Sequence, residues 1–182
     1  PLQSGSDRIL IAMGRRYRTA DYRRAVDYAL SRVPGLGLGT DILVGFPGET
    51  EMDFEETRKL VEDLPFSNFH VFPYSLRSGT RAADMKDPIP DPVKKERVNC
   101  LLALEENKRR TFAVSWIGKP VSVLIEGRDA EGRGRGWTGE YLEARVTGNG
   151  LQKNQIVELF PATVEESMLC GSSCRMSRPD FL

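Results

Sequence analysis

Cysteine and histidine are scarce. Cys100, Cys170 and Cys174 are the three thiols in 182 residues, too few and too odd in number for a disulfide framework, and a count that suits a reducing compartment. His70 is the single histidine, so sites built from several imidazoles are excluded. No stretch approaches the roughly 18 consecutive apolar residues of a membrane helix, and no basic, apolar, small-residue leader opens the chain. The expected location is therefore the cytoplasm. Charge of one sign is not in excess either: 26 basic residues balance 26 acidic ones, which excludes binding of nucleic acid by bulk electrostatics and leaves only local contacts. The first half of the chain has neither a Walker lysine nor a G-x-G-x-x-G fingerprint, which counts against the commonest nucleotide-binding folds there. What remains, 40% hydrophobic and 29% charged residues, is an ordinary globular composition with room for one core or two small ones.

Periodicity divides the chain. Ser4 or Ser6 is placed to cap a short helix through Ile9, Leu10 and Met13, interrupted at Gly14. Thr19 is expected to cap a longer one with Tyr22, Val26, Leu30 and Val33 on one face, stopped by Pro34-Gly35. An apolar strand follows over 38–44, a tight loop over 45–50, and a helix over 51–64 with Phe54, Val61 and Leu64 inward and Thr50 and Asp53 as a capping pair. Phe69 to Tyr74 reads as a short strand, followed by a polar loop to Pro90. Helix and strand alternate here as in βα crossover units of a parallel α/β sheet or barrel, yet too few strands are present to close a barrel, so this part reads as a fragment. Asp91-Pro92 starts a helix that Gly118 ends. Beyond it the period becomes two, over 121–125, 142–146 and 156–160, with glycine-rich turns at 127–136 and 148–150, the pattern of a small antiparallel barrel of the OB type. The expected layout is thus 1–90 for the α/β part, 91–118 for a linker helix, 119–167 for the barrel and 168–182 for a loose, polar tail.

Three motifs sit at strand ends: Pro1-Leu2-Gln3-Ser4-Gly5-Ser6-Asp7; Thr40-Asp41-Ile42-Leu43-Val44-Gly45-Phe46-Pro47-Gly48-Glu49-Thr50; and His70-Val71-Phe72-Pro73-Tyr74-Ser75-Leu76-Arg77-Ser78-Gly79-Thr80. Glycines at 45 and 48 would let a ligand approach the backbone, and the helix start behind them would offer N–H groups. In parallel α/β architectures ligands sit at this end of the strands.

In this order and spacing the three motifs resemble the radical S-adenosylmethionine methylthiotransferase family. Within it they are most similar to the branch acting on N6-threonylcarbamoyladenosine in tRNA, because His-Val-Phe-Pro-Tyr-Ser precedes Arg-x-Gly-Thr; the isopentenyladenosine branch and the ribosomal protein S12 branch remain open alternatives. The resemblance implies an α/β fold, the C-terminal part of a radical SAM partial (βα)6 barrel, followed by an OB-like TRAM barrel that binds RNA. It implies a longer parent protein, missing its N-terminal cluster-binding regions here, with S-adenosylmethionine and two 4Fe-4S clusters as cofactors and the anticodon stem-loop of tRNA as partner. In such a parent a 5′-deoxyadenosyl radical takes hydrogen from C2 of the modified adenosine at position 37, and a methylthio group replaces it. Carried over by segment, Gln3 and Ser4 would face the ribose or substrate, Asp41, Gly45 and Phe46 the adenine, and Phe72 the far rim. His70 receives no catalytic role.

Cluster ligands are what this chain does not offer. Three closely spaced thiolates are needed for each cluster, and Cys170-Gly-Ser-Ser-Cys174 supplies two with no third, so the chain by itself is expected to hold no metal and to be inactive. For RNA, the barrel offers Arg128, Arg133, Arg135, Trp137, Tyr141 and Lys153 around its glycine-rich turn, guanidinium groups for phosphates and aromatic faces for unpaired bases. Charge is also uneven near the start: Arg8, Arg15, Arg16, Arg18, Arg23 and Arg24 stand against Asp7 and Asp21, a basic segment able to guide an anticodon stem. The competing classes are a non-catalytic RNA-binding module, which explains the barrel but not the strand-end motifs, and a non-redox nucleotide-binding domain.

Overall fold

The computed structural model describes residues 1–174 and divides the chain into two compact units, 1–108 and from Arg109 onward. In the first, helices α1 (Asp7–Ala12), α2 (Thr19–Arg32) and α3 (Glu51–Asp63) accompany strands β1 (Gly39–Val44) and β2 (Asn68–Pro73). Thr40, Ile42 and Val44 alternate into the interior while Gly39, Asp41 and Leu43 face the other way, as the two-residue strand period requires. β1 and β2 run parallel with Ile42 opposite Val71, and Gln3 bridges Ile42 on the other side. Three parallel segments therefore end side by side, as the three motifs led one to expect. Leu2, Ile42, Val44, Phe54, Val61 and Leu101 form the core; Leu101 comes from α4 (Asp91–Val114).

Several local expectations need correction. Arg18 caps α2 rather than Thr19, with its N–H donating to Asp21 at 2.9 Å. Ser6 is the N-cap residue of α1 as expected, but its hydroxyl makes no capping bond and donates to Asp53 at 2.8 Å instead. The loop to Pro90 contains one 3-10 turn, Arg81–Asp84. Thr50 and Asp53 do form the reciprocal capping pair of α3.

In the second unit β3 (Val121–Arg128), β4 (Gly134–Thr138), β5 (Glu143–Thr147), β6 (Ile156–Glu165) and β7 (Met168–Cys174) close a barrel in the order β3-β4-β5-β7-β6, with β6 returning to β3. The expected architecture, an α/β part followed by a small barrel, is present; two features differ. The barrel is mixed, not antiparallel throughout, because β5 and β7 pair in parallel. The span 168–174 expected to be loose tail is the strand that closes it, with Leu169 fully buried; 175–182 lie outside the described residues. β4 escaped sequence reading because Gly134 and Gly136 look like turn residues. In the barrel they are strand residues pressed against neighbours: a Cβ at Gly136 would stand 1.9 Å from the carbonyl oxygen of Leu124. No helix among the described residues is long and apolar enough to cross a membrane.

Candidate functional site

Two adjoining cavities of about 370 and 410 Å³ open at the C-terminal ends of Gln3, β1 and β2, and share Gln3, Leu43, Tyr74, Thr80 and Ala82. Phe46 walls one and Phe72 the other. Gln3 holds a left-handed backbone (φ 67°), a conformation unfavourable for a residue with a Cβ. Its N–H donates to the Asp41 carbonyl at 2.8 Å and its own carbonyl accepts from Leu43 N–H at 2.9 Å. Phe46 is buried and meets Tyr74 edge to face at 5.6 Å between ring centres. A strand-end cleft with aromatic walls, an amide and a hydroxyl suits a flat, polar-edged group such as a nucleoside.

Of the six residues expected at the cofactor, Gln3, Phe46 and Phe72 line this cleft. Ser4, Asp41 and Gly45 do not. Ser4 is buried, its hydroxyl 3.3 Å from that of Thr57 and accepting from Ser6 N–H. Gly5 lies so close to α3 that a Cβ there would stand 2.5 Å from Thr57 Cα, so the first motif is in large part a joint between chain start and helix. Asp41 lies on the cleft side of β1, one strand period below Leu43, with Oδ1 3.3 Å from Nδ1 of His70. Gly45, at φ 75°, packs its α-carbon on Lys94, where a Cβ would stand 2.2 Å from Cγ.

The N–H groups after β1 are also taken. Gly45 and Phe46 donate to Glu49 Oε2 at 3.0 and 3.4 Å, Gly48 to the Asp87 carbonyl at 2.9 Å, and Thr50 to Asp53 Oδ2 at 2.8 Å. This corrects the reading of the loop as a ready anion cradle: its donors are satisfied from within.

Glu49 and Arg97 were missed by sequence reasoning. Both are almost fully buried and pair at 2.6 Å; Arg97 also donates to Glu51 at 3.1 Å and lies over the Phe54 ring. Burial pushes the Glu49 carboxyl up, against the lowering pull of the Gly45 N–H, Arg97 and the Phe46 N–H. The one available signal was an arginine four residues before Leu101 on the inward face of α4. A second buried carboxylate, Asp53, accepts from Arg8, Ser6 and both the N–H and hydroxyl of Thr50. Burial alone would raise its pKa, but these partners outweigh it and hold the group well below the usual carboxylate range.

In the barrel, the six residues expected at RNA separate by environment. Arg133 is engaged by Asp129 at 2.8 Å and by Glu131, Arg135 by Glu143, and Arg128 donates to the carbonyls of Gly132 and Leu151 at 2.8 and 2.5 Å. Trp137 and Tyr141 are exposed, Tyr141 at 74% and in a left-handed turn conformation. Trp137 stands opposite Leu124, which stands opposite Ile156, forming an exposed apolar row across three strands. Lys153 is exposed in the loop before β6. Among the described residues no group of three or more His, Cys, Asp or Glu is arranged to hold a metal ion; Cys100 lies in α4 and Cys170 in β7.

Residues 1–61 match the family model described as the Radical SAM superfamily. A tRNA-2-methylthio-N(6)-dimethylallyladenosine synthase of Clavibacter sepedonicus is 45% identical over 159 residues, covering 87% of this chain and 28% of that protein. Proteins of the same name from Thermobifida fusca (45% over 135 residues, 74% of this chain, 26% of that protein) and Methylacidiphilum infernorum (39% over 163 residues, 80% and 35%) are also similar. The chain therefore spans between about a quarter and a third of the length of these relatives. With a radical SAM match over its first 61 residues and this similarity along most of its length, the chain is similar to a portion of the radical SAM tRNA methylthiotransferases.

Proposed function

We propose that this chain is the C-terminal portion of a cytoplasmic tRNA methylthiotransferase, a sulfur-group transferase that modifies C2 of an N6-substituted adenosine in the anticodon loop. The observation that carries the reading is the strand-end cleft, where Gln3, Phe46 and Phe72 from the three motifs meet at one level. In this reading the cleft takes the adenosyl part of S-adenosylmethionine: Phe46 and Phe72 give flat apolar walls, and Gln3 and Thr80 give polar groups for the sugar. That cofactor, when bound beside a reduced iron–sulfur cluster, supplies the radical that removes the hydrogen. The described residues do not fit the cluster itself, so its thiolates belong to other parts of a longer enzyme, and the chain alone is inactive.

The 1–90 segment is then the end of a partial (βα)6 barrel, α4 the linker, and the closed β-barrel a TRAM-like RNA-binding module. Trp137 and Tyr141 are free to stack unpaired bases, whereas Arg133 and Arg135 would first have to leave their carboxylates. For substrate, the similarity to dimethylallyladenosine synthases favours dimethylallyladenosine, the isopentenyladenosine alternative of the sequence reading, over the threonylcarbamoyl branch suggested by the His70 to Thr80 motif. The deciding experiment offers the full-length, cluster-reconstituted enzyme two tRNA pools, one with dimethylallyladenosine and one with threonylcarbamoyladenosine, and analyses nucleosides by mass. Methylthio product in the first pool alone is expected. Product in the second alone would return the assignment to the threonylcarbamoyl branch, and product in neither would end the tRNA reading.

A further inference from the structure

Three arginines surround the strand-end cleft: Arg15 after α1, and Arg77 and Arg81 from the loop after β2, Arg81 in its 3-10 turn. None makes an ion pair with a described residue, in contrast to Arg8, Arg23, Arg58 and Arg97 of the same unit. No Asp or Glu lines either cavity. A site with three unpaired guanidinium groups and no carboxylate has a positive potential that a low-dielectric wall concentrates. It calls for a ligand with several negative groups in a row.

We propose that Arg15, Arg77 and Arg81 form a phosphate-binding rim that grips the RNA strand on either side of the nucleotide entering the cleft. The inference rests on the tRNA reading above and adds to it where the backbone is held. Guanidinium groups are suited to phosphate oxygens because their planar N–H forks match them in pairs. A zwitterionic cofactor presents one carboxylate beside a cation and employs one such fork; successive phosphodiesters of a splayed loop employ three. The barrel arginines first read as phosphate ligands have their carboxylates or carbonyls already, so the cleft rim carries the backbone contact and the barrel carries Trp137 and Tyr141.

The test measures binding of the 182-residue chain to an unmodified anticodon stem-loop as a function of salt, for the parent sequence, for Arg15→Gln, Arg77→Gln and Arg81→Gln, and for Arg32→Gln at the end of α2 as a control. Each rim variant is expected to weaken binding about five- to tenfold at low salt and to reduce the log–log salt slope by about 0.7–0.9, one phosphate's share. Arg32→Gln should leave both unchanged. Thermal melts check that the exposed substitutions leave folding intact. Full affinity and slope in all three rim variants would overturn the proposal while leaving the methylthiotransferase reading to its nucleoside assay, as would absence of RNA binding by the parent chain. A third arm titrates S-adenosylhomocysteine: rim variants that lose this ligand but keep RNA would assign the arginines to a carboxylate instead and overturn the phosphate rim.

Discussion

Arg97→Leu is expected to destabilise the first unit by about 3–5 kcal/mol, the usual cost of removing one partner from a buried ion pair. The Glu49 carboxylate would keep the N–H groups of Gly45 and Phe46 but lose the guanidinium paired with it, which places the effect near the lower end. Against a total stability of about 5–15 kcal/mol, that lowers the melting temperature by on the order of 15 °C. The pH dependence separates a stranded charge from lost packing. Burial already raises the Glu49 pKa, and removing Arg97 raises it further. A carboxyl whose folded pKa exceeds its unfolded value stabilises the fold when protonated, and that contribution is lost as pH rises through the folded value. Stability of Arg97→Leu should therefore rise as pH is lowered toward the unfolded glutamate value of about 4.3, and adding Glu49→Gln should recover part of the loss at neutral pH. A loss independent of pH, with no recovery in the double variant, would reduce the pair to packing. Because Glu49 holds the N–H of Phe46, and Phe46 walls the cleft, the same variants should loosen the site.

Asp53→Asn is expected to cost about 2–3 kcal/mol, since hydrogen bonds to a charged group contribute roughly 1.5–3 kcal/mol each and several converge there. The amide replaces one acceptor oxygen by a donor facing the donors of Arg8 or Thr50. Its pH signature has the opposite sign to that of Glu49. The folded pKa of Asp53 is depressed, so its contribution is fully present above the unfolded value of about 3.9 and is lost as pH falls below that toward the folded value. Thermal melts from pH 6 down to pH 2.5 should show a steep acid loss in the parent chain and a shallower one in the variant. Parallel curves would remove Asp53 from the acid response. Arg8, more than half exposed, is the weaker partner because solvent screens it.

The apolar strand over 38–44 and the Thr50–Asp53 capping pair depend on neighbours in the chain, and both are found, the strand as Gly39–Val44. Leu169 and Gly136 were misread for one reason: their environment is made by residues distant in sequence. Gly136 is a strand residue because Leu124 leaves no room for a Cβ, and Met168–Cys174 is ordered because β5 and β6 each offer it an open edge. The loop Gly45 to Thr50 has the composition of a ligand cradle, but Glu49 and Asp53 fold back to occupy its donors, which composition cannot reveal. Likewise Arg133 and Arg135 look free in sequence, while Arg77 and Arg81, embedded in a polar loop without periodicity, turn out to face the cleft. Charge found along a chain does not tell which charges are already paired.

Under the proposed function, the protein containing this chain installs a methylthio group on tRNA. The most direct measurement digests total tRNA from cells lacking the gene and quantifies nucleosides by mass. The methylthio form of dimethylallyladenosine is expected to vanish while its unthiolated precursor accumulates, and both to be restored by the intact gene. Undiminished methylthio nucleoside in the deletion, with no rise in the precursor, would contradict it.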